Sequence, residues 1–167
     1  MRRRRSAEQT RDGRNAGRVD LKAADRAKYR SNDMQTTRAF VAWPGKREAF
    51  EEAGRGDTSW FTLVSGDRTP SRAMSAGLAE LPTGGSGLAL HRHREPEIYH
   101  VVAGEGVVTI DGVAHPIRAG ATVYIPSNAE HGVRNTGPDT LRIFYVFPTD
   151  RFSDVVYRFS HEPEQPR

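Results

Sequence analysis

The segment HRHREPEIY, residues 91–99, concentrates the side chains able to hold a metal ion or move a proton. His91 and His93 stand one residue apart, and so do Glu97 and Tyr99. In an extended chain, residues i and i+2 share a face. Two imidazoles therefore point together, with Arg92 on the opposite side, and a carboxylate points together with a phenol. If the two segments are neighbouring parts of one barrel, the imidazoles and the carboxylate converge. A fourth candidate, His131, follows in IPSNAEHGVRN. Imidazole and carboxylate donors in combination suit Fe, Mn, Ni, Zn or Cu. Three histidines and one glutamate leave one or two positions open on an octahedral ion, which a catalytic metal needs and a structural zinc does not. The other histidines lack a partner at such spacing. His100 alternates away from Glu97 and Tyr99, His115 follows a hairpin turn, and His161 lies in a polar tail.

Such a cluster needs rigid elements to position it. From residue 36 onward the chain holds one candidate helical turn, near Arg47–Ala53 in FVAWPGKREAFEEAG. Beyond it, helical periodicity is absent. Short apolar or alternating runs take its place: WFTLVS (60–65), GLAL (87–90), EIYHVVAG (97–104), GVVTIDG (106–112), ATVYIP (121–126), LRIFYVFP (141–148) and SDVVYRF (153–159). Turn residues separate them in PTGGSG, GEG, DG, AG and NTGPD. The Asp-Gly pair between GVVTI and VAHPI predicts a hairpin. Many short strands at near-regular spacing predict an all-β sandwich or barrel, without internal repeats.

Length and composition agree with this reading. A chain of 167 residues supports one domain with a substantial core. There is no cysteine, so disulfides, thiolate metal sites and cysteine nucleophiles are excluded, while the compartment stays open. No apolar run approaches the length of a bilayer-spanning helix. The net charge of +4 is unevenly placed, with 11 Lys/Arg against 4 Asp/Glu in residues 1–30. We expect residues 1–35 to be a basic extension, disordered or loosely helical, because they hold few large apolar side chains. A nucleic-acid or anionic-surface arm is the functional alternative to a plain extension. The expected domain covers 36–160, and 161–167 form a polar tail. Arg2 to Arg5 are not followed by an apolar stretch, so no secretory signal is expected and a cytoplasmic location is.

The spacings carry a resemblance. Gly85, His91, His93, Glu97 and Gly104 resemble the first motif of the cupin superfamily. Gly120, Pro126, His131 and Asn135 resemble its second, with Asn128 where that motif usually has glycine. Asn tolerates left-handed backbone angles better than most residues, so the turn is expected to survive. The resemblance implies a single cupin barrel, a double-stranded β-helix or jelly roll, behind a short helical or irregular N-terminal segment. It also implies a transition metal ion, Fe, Mn, Ni or Zn, on His91, His93, Glu97 and His131.

Within the superfamily, SGLALHRHREPEIYHVV, GATVYIPSNAEHGVRNTG and FYVFPTDRFSDVVYRF resemble the short, single-cupin dimethylsulfoniopropionate (DMSP) lyases. This implies β-elimination of DMSP to dimethyl sulfide and acrylate, with Tyr99 as the catalytic base and Tyr157 as a second catalytic tyrosine. A tyrosine base needs its pKa, normally near 10, lowered by a neighbouring cation. The sulfonium end needs an aromatic wall, for which Trp60, Tyr124, Tyr145 and Phe144 are candidates. Arg92 departs from lyases that carry an aromatic residue between the two histidines. Two alternatives stand beside the lyase: a mononuclear non-heme iron dioxygenase and a non-catalytic small-molecule-binding cupin. The expected partner is a small-molecule carboxylate, with no membrane and no nucleic acid. A homodimer is expected, with residues 36–60 supplying a pairing strand.

Overall fold

The clearest local signal is strict alternation. In EIYHVVA, Glu97, Tyr99 and Val101 are buried while Ile98, His100 and Val102 are exposed. In LRIFYVF, Leu141, Ile143, Tyr145 and Phe147 are buried and the residues between them are half-exposed. Period-two burial of this kind is what a strand with one face on the core produces. Ten strands result in this computed structural model, which describes residues 37–45 and 58–160, all within one compact unit, Gln35–Arg167.

The strands are β1 (Ser59–Val64), β2 (Ser75–Leu81), β3 (Gly87–Arg92), β4 (Glu97–Ala103), β5 (Glu105–Ile110), β6 (Val113–Arg118), β7 (Thr122–Ile125), β8 (His131–Asn135), β9 (Leu141–Phe147) and β10 (Arg158–Phe159). One five-stranded sheet runs β1-β2-β9-β4-β7 and the other runs β10-β3-β8-β5-β6. Every pairing is antiparallel. The interleaved order, with β4 between β9 and β7 and β8 between β3 and β5, is the all-β jelly-roll expected from the sequence.

Turn chemistry sets the corners. Asp111 and Gly112 have φ of 46° and 78°, the double positive value of a type I′ hairpin, and Ile110 pairs with Val113 across it. Asn128 has φ of 60°, so it does take the left-handed conformation, and its N–H donates to the His93 carbonyl at 2.8 Å. That bond ties the loop before His131 to the end of the His91–His93 segment.

Several expectations need correction. SDVVYRF is not one strand: it begins in a 3-10 turn, Phe152–Asp154, and only Arg158–Phe159 pair, with β3. Two strands had no sequence counterpart. SAGLAEL forms β2 although Ala and Glu favour helix, because pairing on both edges overrides propensity. HGVRN forms β8, whose short run mixes polar and apolar residues. The basic extension 1–35, the helical turn near Arg47–Ala53 and the tail 161–167 with His161 lie outside the described residues. Of the segment expected to supply a pairing strand, residues 37–45 carry no regular element, and Ser59–Trp60 belong to β1.

The interior changes character along the strands. Tyr99 faces Tyr145, and Val101 faces Ile143, on neighbouring β4 and β9. Leu81, Val101, Val108, Leu141 and Ile143, each 0–1% exposed, fill one end. His91, His93, Glu97 and His131 occupy the other, with Phe147 and Tyr157 against the His93 ring.

Candidate metal centre and adjoining cavity

His91 and His131 are direct cross-strand partners on β3 and β8, and their ring centroids lie 4.2 Å apart. His93 follows β3, its ring 4.8 Å from that of His131. Glu97 opens β4 in the other sheet. Its Oε2 lies 3.3 Å from Nε2 of His93 and 3.2 Å from Nε2 of His131. One ligand atom from each of the three histidines falls within 4.8 Å of the others, so this group could hold a metal ion. All four residues are at most 3% exposed.

The backbone fixes which nitrogen faces inward. Nδ1 of His91 donates to the Ala89 carbonyl at 2.8 Å, that of His93 to the Glu95 carbonyl at 2.8 Å, and that of His131 to the Ala129 carbonyl at 2.9 Å. A carbonyl only accepts, so each Nδ1 carries the proton and each Nε2 of a neutral ring presents a lone pair. Burial, reinforced by the neighbouring His131, pushes His91 down to about 4, so its ring is neutral near pH 7. Lone pairs and a carboxylate therefore face one another across a buried space, and Nε2 of His93 has no hydrogen-bond partner. Nε2 of His131 lies within hydrogen-bond distance of Glu97, and a cation placed among these groups would be met by nitrogen and oxygen donors from every side. The donor set of three imidazoles and a carboxylate fits a borderline transition ion.

Tyr99 is 4% exposed and hydrogen-bonded to Glu97, which as a carboxylate accepts from the phenol. Burial first, then the Glu97 charge, holds the Tyr99 phenol well above its ordinary value of 10. Tyr157, half-buried, lies with its ring 5.4 Å from that of His91 and 5.5 Å from that of His93.

Tyr157 also lines a cavity of about 280 Å³. Trp60, Tyr145 and Phe152 form further aromatic walls, and Asp67 and Arg68 lie at its polar side. Trp60 meets Tyr145 edge to face at 5.3 Å. The Tyr145 ring lies across Gly77, where an added Cβ would come within 2.5 Å of Cζ and closer still to the hydroxyl. Only a residue without a side chain fits beneath that ring. The Asp67–Arg68 loop is tied down where β9 ends. Gly66 donates to the Asp150 carbonyl at 2.7 Å, and Ala73 to its carboxylate at 2.6 Å.

The structure thus brings together His91, His93, Glu97, His131, Tyr99 and Tyr157, and places Trp60 and Tyr145 on the cavity. It does not bring Tyr124 there. Tyr124 is 64% exposed on β7, because its neighbours Val123 and Ile125 take the inward positions. Phe144 alternates away from Tyr145 onto the outer face, paired with Leu78 and His100. His100 and His115 are exposed, and Arg92 points outward to Glu130 at 3.1 Å. Sequence reading did not single out Asp67, Arg68 or Phe152 as site residues. Asp67 and Arg68 sit in an ordinary turn with no distinguishing signal. Phe152 was visible only as part of the FPTDRFSDVVY resemblance.

Comparison with known proteins agrees with this geometry. Residues 77–147 match the cupin domain. The chain is 46% identical over 105 residues to the dimethylsulfoniopropionate lyase DddW of Ruegeria pomeroyi, an alignment spanning 63% of this chain and 68% of that protein. It is 34% identical to the oxalate-binding protein of Thermotoga maritima, over 56% of this chain and 77% of that protein. Among solved structures, the polyketide cyclase RemF of Streptomyces resistomycificus superposes with a TM-score of 0.60 at 20% identity, covering 71% of this chain and 82% of that one. Two interleaved antiparallel sheets with histidines and a glutamate at one end, together with these matches, establish that the chain belongs to the cupin family.

Proposed function

We propose that this chain is a metal-dependent carbon–sulfur lyase that splits DMSP into dimethyl sulfide and acrylate. The observation that carries the reading is the junction at Tyr157, which borders both the imidazole cluster and an aromatic-walled cavity. DMSP has a carboxylate at one end and a sulfonium at the other. The cluster suits the first, and the faces of Trp60, Tyr145 and Tyr157 suit the second. The lyase of Ruegeria pomeroyi, at 46% identity, supports the same reaction class.

His91, His93, Glu97 and His131 would hold the metal. When bound, the ion supplies Lewis acidity and positive charge, which stabilise an enolate-like carboxylate and ease loss of the Tyr99 proton. The chain's own residues do the rest. A base removes the proton alpha to the carboxylate, the C–H electrons form the new double bond, and the Cβ–S electrons leave with sulfur as neutral dimethyl sulfide. Tyr99 is assigned as that base, and Glu97 orients its phenol. Tyr157, at the junction, positions the sulfonium against the aromatic walls of the cavity. Enclosure of the cluster keeps water from competing for the carboxylate.

A second reading draws on the oxalate-binding relative: a cupin that binds a small carboxylate without turning it over. One experiment separates the two. Protein stripped of metal and reloaded with Mn(II), Fe(II), Ni(II) or Zn(II) is given DMSP, and headspace dimethyl sulfide is measured. Release with at least one metal, lost in His131→Ala and Tyr99→Phe, is the expected result. Tight carboxylate binding without release favours the binding reading, and oxygen uptake with Fe(II) in place of release favours a dioxygenase.

A further inference from the structure

The direction of the two β3-side histidines depends on an irregularity in the strand. Leu88 pairs with Val133 and His91 pairs with His131, so three residue steps on β3 face two on β8. Ala89 and Leu90 together oppose the single residue Gly132, which is the arrangement of a β-bulge. The extra residue reverses the alternation. Leu88 is buried, Leu90 is 41% exposed, and His91 and His93 are buried again. In a regular strand Leu88 and Leu90 would share the inward face, and both histidines would point away from Glu97 and His131.

Gly132 is shaped to this bulge. An added Cβ would lie 2.8 Å from the Leu88 carbonyl oxygen, 3.2 Å from the Leu90 amide nitrogen and 3.2 Å from Leu90 Cδ2. Two of these contacts are backbone atoms of the bulge itself and cannot rotate away. The glycine is not held at positive φ, so space and not backbone angle demands it. It is also flanked by His131 and Val133, both buried.

We propose that Gly132 is a positioning residue for the metal centre: by leaving room for the Ala89–Leu90 bulge, it turns His91 and His93 toward Glu97 and His131. The proposal rests on the reading of this cluster as a metal centre, and it makes a distinctive demand. Deleting Ala89 removes the extra residue while keeping Leu88, His91 and His93 on one face. The bulge is then unnecessary, and a side chain at 132 is tolerated.

The test is a cycle of Gly132→Ala, deletion of Ala89 and their combination, with Gly106→Ala as control. An added Cβ at Gly106 meets the Arg134 carbonyl and, at 2.8 Å, Leu141 Cδ2, away from the bulge. Thermal melting of metal-stripped protein and Co(II) titration followed by visible absorption are the readouts. Gly132→Ala is expected to lower the melting temperature and weaken Co(II) binding by about ten-fold or more, the scale of lost ligand support. The Ala89 deletion is expected to restore both in the Gly132→Ala protein, and to restore neither in Gly106→Ala. Should Gly132→Ala fail to fold, recovery of folding in the combined variant carries the same meaning. Unchanged Co(II) affinity in Gly132→Ala, or no rescue by the deletion, overturns the proposal. If the unaltered protein binds no Co(II), the metal reading falls, and the melting cycle alone decides whether Gly132 accommodates the bulge.

Discussion

The two ends of the barrel are built from the same ten strands by opposite means. At one end Leu81, Val101, Leu141 and Ile143 pack as apolar side chains, and the buried Asn135 amide beside them donates to the Leu81, Pro82 and Asp139 carbonyls, tying loops together. At the other, each imidazole is held by a hydrogen bond from Nδ1 to a nearby backbone carbonyl, and a bulge turns two of them inward. The first end is stabilised by apolar burial, which is tolerant of direction. The second gathers imidazole nitrogens around a carboxylate at 3.2–3.3 Å, buried polar groups that a shared cation would satisfy. The apolar end thus carries the stability that lets the histidine end be held in a geometry it would not choose alone.

That division can be broken from either side. The largest effect is expected from His131→Ala, which removes the histidine closest to the centre of the cluster. Bound metal, counted by elemental analysis after dialysis, should fall by more than about 100-fold, beyond what loss of an outer hydrogen bond costs. Leu141→Ala attacks the other end. It should cost about 2–5 kcal/mol in urea unfolding, because a fully buried leucine leaves a cavity, and metal content should be unchanged. A Leu141→Ala protein that folds but has lost its metal would show that the two ends are not independent.

Acid gives a sharper test. Burial pushes His91 down to about 4 in the folded protein, below its ordinary value of 6.5. Between these values the unfolded chain binds the extra proton, so stability of the metal-free protein should fall as pH drops through that window and level off below it. The whole effect is on the order of a few kcal/mol. His91→Asn should flatten the slope, which melting curves at several pH values would reveal. The smallest effect is expected at Tyr124, exposed on the outer face. Tyr124→Ala should change stability by less than about 0.5 kcal/mol and leave dimethyl sulfide release within two-fold (~) of the unaltered protein. A large loss there would return Tyr124 to the substrate wall.

The candidate ligand set was legible because metal chemistry restricts residue types and spacing: His91, His93, Glu97 and His131 stand out in the sequence, and the structure brings the four together. The Asp111–Gly112 hairpin and the left-handed Asn128 were legible for a similar reason, since few residues accept positive φ. Strand β2 was not, because Ala, Gly and Glu have no strong local preference for a strand and are held in one by β1 and β9. The aromatic candidates were legible as a group but not individually. Strand alternation placed Tyr145 inside and Tyr124 outside, and the choice depended on which face the sheet turned to the core.

The amino-acid sequence by itself determined the donor chemistry, the all-β class and the turns, since each follows from the covalent nature of single residues or their close neighbours. Only the tertiary structure decided where the histidines point and what adjoins them. GLALHRH reads as an even alternation that aligns both leucines against the histidines. The partner strand, through Gly132, admits one extra residue and reverses it. The cavity beside the cluster joins β1, β9, the loop at Asp67 and the segment at Tyr157. Such distant pieces share a wall only after two sheets have closed, because proximity across the fold is a property of pairing and not of order along the chain.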